Sequence, residues 1–419
     1  MYQKITLPNG VRILTEAVPG VRSAAIGIWV GTGSRHECAG ESGAAHFIEH
    51  MVFKGTGRRT AAQLAEEMDA VGGQVNAYTT KENTCFYARV LDTHLPQATD
   101  ILCDMFFSSR FDEADVQTER GVILEEIGMY EDTPEDVCSE RLAAAVYKGS
   151  PLARPILGKS ATLEAMTGER LREYMRGHYL GGDVVVALAG SFKDSDVRAL
   201  TGRFAQVPSG ALTLGKPALY QSAVTVKKKA TEQNHLTLAF PGLPYGHGDR
   251  YALQLLSSIL GGGMSSRLWQ EVREKRGLCY SVYSYGAGHA ETGLFAIYTA
   301  LGREMEGEAL HTIARTVEDF AREGVTQQEL DRAREQSKAN VLMGLESTQA
   351  RMSNLGRSEL LMGEVLDVEA ITARYDAVER SDVERLARTM FDWSRASLSA
   401  VGRVGGAEEY RAFLDGHSS

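Results

Sequence analysis

The stretch Gly43-Ala-Ala-His46-Phe-Ile-Glu49-His50-Met-Val-Phe-Lys-Gly-Thr56 sets two histidines and a glutamate in the pattern HxxEH. The run over residues 42–54 reads as helix, and at about 100° per residue the three polar side chains fall within an arc of roughly 100°. Both imidazoles and the carboxylate therefore share one face. Two neutral imidazoles one turn apart chelate a single Zn²⁺ at about 2.0–2.1 Å each. The carboxylate between them lies close to such an ion without having to bind it, which suits a general base acting on water.

This is the inverse of HExxH and is an arrangement known from metallopeptidases. Two unrelated histidines on a helix would produce the same pattern, so the donor set has to be completed. A catalytic zinc takes three protein ligands and leaves a position open. The helical stretch 113–131 offers the third in Thr118-Glu119-Arg-Gly-Val-Ile-Leu-Glu125-Glu126-Ile. Seven residues span nearly two turns, so Glu119 and Glu126 share a face while Glu125 is turned away. One helix then presents Glu126 as ligand and Glu119 as a support that orients a ligand. A solvated acidic helix face is the plain alternative for each of them taken singly.

Around this centre the chain reads as alternating strands and helices. Residues 11–15 and 24–30 are strand-like, the second a nearly continuous apolar run. A helix starts at Thr60 and ends at Gly72-Gly73, strands follow at 74–78 and 84–90, helices at 93–108, 113–131 and 161–177, and a compact apolar strand at 184–189. The segment Ala205-Gln-Val-Pro-Ser-Gly-Ala-Leu-Thr-Leu-Gly-Lys-Pro217 has linker composition. Beyond it the order recurs: strand 236–240, helices 251–260 and 264–275, strands 277–284 and 293–299, long helices 303–323 and 326–362, and strand 397–401. The recurrence lies in order and spacing, with little residue identity. It predicts an α+β protein of two homologous domains, 1–209 and 221–419 joined by 210–220, each a mixed β-sheet with helices packed on it, facing each other across a cleft.

Composition narrows the function. The 419 residues are 43% hydrophobic and 24% charged, which excludes a disordered chain and a membrane-embedded body. With 45 Lys and Arg against 55 Asp and Glu, the net charge of -10 argues against nucleic-acid binding and is compatible with a basic peptide. Five cysteines without a CxxC pair indicate neither a disulfide framework nor a thiolate zinc site. With no signal-peptide core and no membrane span, a cytoplasmic protein is expected. The C-terminal half has His235, His247, His289, His311 and His417, none spaced i, i+4, and so cannot repeat the metal site. Gly261-Gly262-Gly263 precedes Met264-Ser-Ser-Arg rather than Gly-Lys-Ser/Thr, which makes it a turn without a nucleotide role.

The HxxEH stretch, with Glu126 placed 76 residues after His50, resembles the pitrilysin/insulinase family of zinc peptidases (M16). The bacterial homologues of the mitochondrial processing peptidase β subunit are the most similar. The second half carries Leu260-Gly-Gly-Gly-Met-Ser-Ser-Arg-Leu and Arg273-Glu-Lys-Arg-Gly-Leu-Cys-Tyr280-Ser-Val, which resemble that family's C-terminal domain. The resemblance implies the LuxS/mitochondrial processing peptidase-like metallohydrolase fold, with an inactive second copy contributing substrate-binding residues. It implies one zinc per chain on His46, His50 and Glu126, with Glu49 as base and Glu119 as the additional acid near the metal. Asn76, Ala77 and Tyr78 match the strand that pairs with an extended substrate, and Arg273 and Tyr280 match a pair that reaches the substrate near the scissile bond. The implied activity is hydrolysis of internal bonds in unfolded peptides by a homodimer. The alternative is a non-catalytic peptide-binding or scaffold subunit, and a zinc hydrolase acting on other substrates is a third reading.

Overall fold

A computed structural model describes residues 2–213 and 215–418. Met1, Leu214 and Ser419, which fall in the spans expected for the first domain, the linker and the second domain, lie outside the described residues. The chain divides into two compact units, neither continuous in sequence. One comprises Met1–Ile127, Arg154–Lys216 and Leu342–Asp367; the other comprises Gly128–Ala153, Pro217–Val341 and Val368–Ser419.

The first unit holds β1 (Gln3–Thr6), β2 (Arg12–Ala17), β3 (Ser23–Val30), β4 (Gln74–Thr79), β5 (Thr84–Leu91) and β6 (Val184–Gly190) in one sheet of order β1-β2-β6-β3-β5-β4. Only β2 and β6 run parallel. From Ala24 onward strand β3 is apolar because both of its faces are covered. Ala24, Ile26, Ile28 and Val30 enter the larger core, while Ala25 and Trp29 face the opposite way with Leu14, Cys85, Val185 and Ala187. That second face is closed by Met352 and Leu355 of the helix Thr348–Met362, which chain order assigns to the far half of the sequence.

The second unit holds β7 (Val224–Lys228), β8 (Asn234–Pro241), β9 (Ser281–Gly288), β10 (Gly293–Leu301) and β11 (Ser397–Gly402) in the order β7-β11-β8-β10-β9, again with one parallel pair, β7 and β11. Strand for strand this repeats β2-β6-β3-β5-β4, so the two units share a topology. The helices of the first half that bear on the site are α1 (Ala44–Met51), α2 (Ala61–Ala70), α3 (Leu95–Ser108) and α4 (Glu113–Glu131), followed by α5 (Pro134–Val146). Helix α5 packs on β7, β8 and β11 of the second unit, with Cys138 Sγ 3.3 Å from Thr237 Oγ1. Each sheet thus receives one covering helix from the other half of the chain.

Three expected elements differ from the structure. Met264–Ser266 form a turn and the helical residues that follow include a π-helix, Trp269–Glu274, closed where Gly277 at φ 63 donates its amide to Arg273 O. The strand expected at 277–284 therefore starts only at Ser281. The helix expected over 326–362 is two, Gln327–Gly344 and Thr348–Met362, broken ahead of Ser347. The helix expected over 161–177 is also two, Ser160–Glu164 and Gly168–His178, the second started by Thr167, whose hydroxyl accepts the Arg170 amide at 3.3 Å.

The close approach of Thr348–Met362 to β3 depends on Gly356. A Cβ at this position would lie 2.3 Å from the ring of fully buried Trp29. Overpacking costs roughly 1–3 kcal/mol and outweighs the ~1 kcal/mol of helix propensity that alanine supplies. Gly356→Ala is therefore expected to lower stability by up to about 2 kcal/mol in urea denaturation; an unchanged midpoint would mean that Trp29 shifts freely.

Candidate metal centre

Helix α1 is amphipathic over eight residues. Ala44, Ala45, Phe47, Ile48 and Met51 are buried in the core of the first unit, which turns His46, Glu49 and His50 away from it as the HxxEH spacing requires. Helix α4 is anchored through Val116 and Ile123, both fully buried, and carries Glu119 and Glu126 toward α1. Glu125 points to solvent.

The two helices bring three donors together. Glu126 Oε2 lies 3.6 Å from His46 Nε2 and 3.5 Å from His50 Nε2. Ligands about 2.0–2.1 Å from a tetrahedral Zn²⁺ stand about 3.4 Å apart, so these separations suit one ion. Among the described residues no other group of three or more His, Cys, Asp or Glu side chains comes close enough to hold a metal.

Electrostatics and hydrogen bonding agree with that assignment. Burial, assisted by the neighbouring His50, lowers the His46 pKa to about 3, which keeps its imidazole neutral and able to ligate. His50 Nδ1 lies 3.1 Å from Glu119 Oε2, so a proton on Nδ1 leaves the Nε2 lone pair for the ion. Glu119 is itself buried and its other oxygen pairs with Lys54 Nζ at 2.7 Å. Glu49 is half-buried, and burial raises its pKa against a hydrogen bond from the Thr79 side chain. Its Oε2 is buried without a hydrogen-bond partner among the described residues, leaving an acceptor open for a water proton.

The sequence-derived substrate residues fall on two different elements. Asn76, Ala77 and Tyr78 lie in β4, the edge of the first sheet, whose single strand partner is β5. Tyr78 is held by Trp29 Nε1, which donates to its hydroxyl at 3.1 Å. Arg273 and Tyr280 belong to the second unit, where the Arg273 guanidinium sits 3.8 Å from the Trp269 ring centroid and 5.1 Å from that of Tyr280. Tyr280 is 74% exposed. Sequence reading missed Lys54 and Thr79. Lys54 stands four residues after His50, a helical spacing that signals proximity; Thr79 carried no signal beyond its place next to Tyr78.

Comparison with known proteins supplies the context. Residues 12–160 match the family described as Insulinase (Peptidase family M16), and residues 165–337 match Peptidase M16 inactive domain. The chain is 44% identical over 409 residues to the uncharacterized zinc protease YmxG of Bacillus subtilis, covering 96% of this chain and 100% of that protein. It is 43% identical over 414 residues to an uncharacterized zinc protease of Streptomyces coelicolor, covering 96% and 89%. In fold it is similar to the peptidase M16 inactive domain from Pseudomonas fluorescens, with TM-score 0.89, 22% identity and coverage of 97% and 99%. It is also similar to Complex III2 from Candida albicans, with TM-score 0.85, 17% identity and coverage of 98% and 99%. A duplicated α+β fold with a His-His-Glu donor set in its first unit defines the metallopeptidase class. Within it, the chain belongs to peptidase family M16.

Proposed function

We propose that the protein is a zinc-dependent endopeptidase that hydrolyses internal bonds of extended, unfolded peptides. The observation that carries this reading is the convergence of His46, His50 and Glu126 beside Glu49, whose Oε2 has no hydrogen-bond partner among the described residues. His46, His50 and Glu126 would hold the zinc, which when bound would supply a Lewis acid able to lower the pKa of water and polarise a carbonyl. Glu49 takes the proton of the attacking water and delivers it to the leaving amine. Glu119 fixes the tautomer and the ring of His50. Strand β4 offers the backbone of Asn76, Ala77 and Tyr78 to the peptide as one more strand, and Thr79 on the same strand steadies Glu49. Arg273 and Tyr280 contribute a cation and a phenol to holding the peptide.

One zinc per chain, a homodimer and a cytoplasmic setting complete the proposal. The five cysteines are all free, which favours a reducing compartment, and no helix among the described residues is long and apolar enough to cross a membrane. The net charge of -10 is compatible with basic peptides. The test is turnover of a quenched-fluorescent, Arg-containing peptide long enough to lie along β4. Cleavage is expected with zinc, lost on chelation and restored by adding the metal. Stoichiometric zinc without cleavage of a diverse peptide library would favour a binding subunit instead.

A further inference from the structure

The N-terminus of α1 lacks the side-chain cap that helices of its kind normally have. Its N-cap residue is Gly43, at φ 97, and no side chain fits there: an added Cβ would lie 2.9 Å from Leu163 Cδ2 and 3.0 Å from Gly158 Cα. The missing cap is supplied from outside the helix. Glu37, 2% exposed, accepts the Gly43 amide on Oε2 at 2.8 Å and the Ala45 amide on Oε1 at 3.0 Å. The Ala45 amide is one that an N-cap serine or aspartate would take. Burial raises the Glu37 pKa to about 8 against the pull of these two amides, and in either ionisation state both oxygens can accept. The Glu37 main chain is held in turn, since the Arg154 guanidinium donates to its backbone carbonyl oxygen.

We infer that Glu37 is a positioning residue for the metal centre: by capping α1 from the preceding loop it sets the pitch and direction of the helix on which His46 and His50 stand. The consequence is mechanical. His46 follows the capped Ala45 directly, and with ligand atoms only 3.5–3.6 Å apart a small rotation of the first turn separates His46 Nε2 from Glu126. This rests on the zinc reading above.

The test uses the full chain and Glu37→Gln, which replaces one acceptor oxygen with an amide nitrogen that cannot receive an N–H. Zinc affinity, measured by competition with a fluorescent chelator, is expected to fall at least about tenfold, and the visible spectrum of the Co²⁺-substituted protein to change, while far-UV circular dichroism stays that of the wild type. Leu200→Ala, a buried change elsewhere in the same unit, serves as control: it should lower the thermal midpoint and leave zinc affinity and the cobalt spectrum alone. Wild-type zinc affinity in Glu37→Gln overturns the inference. Should that variant not fold, amide exchange in the wild-type protein decides. Gly43 and Ala45 amides protected like that of Phe47 support the cap, and unprotected ones overturn it. Failure of the zinc reading itself looks different, because the wild type would then not bind zinc or His46→Ala would retain it.

Discussion

Glu49→Gln is expected to remove peptide hydrolysis almost entirely, lowering kcat by about 10²–10⁴-fold, while the purified variant keeps stoichiometric zinc. The two halves of this result have separate causes. Glu49 is not among the three donors, and its Oε2 has no hydrogen-bond partner among the described residues, so an amide there leaves the ion's ligands intact but cannot accept a proton. The substitution is nearly isosteric and keeps an oxygen for Thr79, so folding should be unaffected. Steady-state kinetics on the fluorogenic peptide, with metal analysis of the same preparation, checks it. A variant that cleaves at the wild-type rate would remove Glu49 from the mechanism, and one that loses zinc would make it a ligand.

The second large effect is on the metal. His46→Ala or His50→Ala should abolish stoichiometric zinc binding, a loss beyond the roughly 10–100-fold that follows from removing a supporting group. Glu119→Gln supplies that comparison within the same site: it still reaches His50 but loses the charge that pairs with Lys54, so it should weaken zinc without eliminating it. The order His46→Ala above Glu119→Gln, read by chelator competition, separates ligand from support. Equal losses would mean that Glu119 binds the ion directly.

How much of the fold and the site is legible in the sequence follows from the range of the signals. Helical spacing is local and rigid, so HxxEH puts His46, Glu49 and His50 on one face of α1, and the Glu119–Glu126 interval puts both carboxylates on one face of α4. The apolar runs of β3 and β6 announce strands covered on both sides. Pairing order is partly recoverable because the second half repeats the elements of the first. Partnership at a distance leaves no such mark. The pattern of residues 348–362 says that a helix has an apolar face, and nothing in it says that Trp29, more than 300 positions away, fills that face. Glu37 precedes α1 by a loop and has no fixed spacing from it, so its role as a cap is visible only in three dimensions. The end of the helix ahead of Gly277 is legible, but the left-handed turn there, which delays β9 by four residues, is not.

The exchange of covering helices also governs when the protein can fold as it is made. Synthesis delivers the six strands of the first sheet by Gly190, but the apolar strip formed by Leu14, Ala25, Trp29, Val185 and Ala187 waits for Met352 and Leu355. Vectorial folding, in which an N-terminal domain matures while the rest is still on the ribosome, is therefore blocked at its last step. Both units come to completion late, by closure of very long loops, and the nascent first half needs shielding until the helix meant for it emerges.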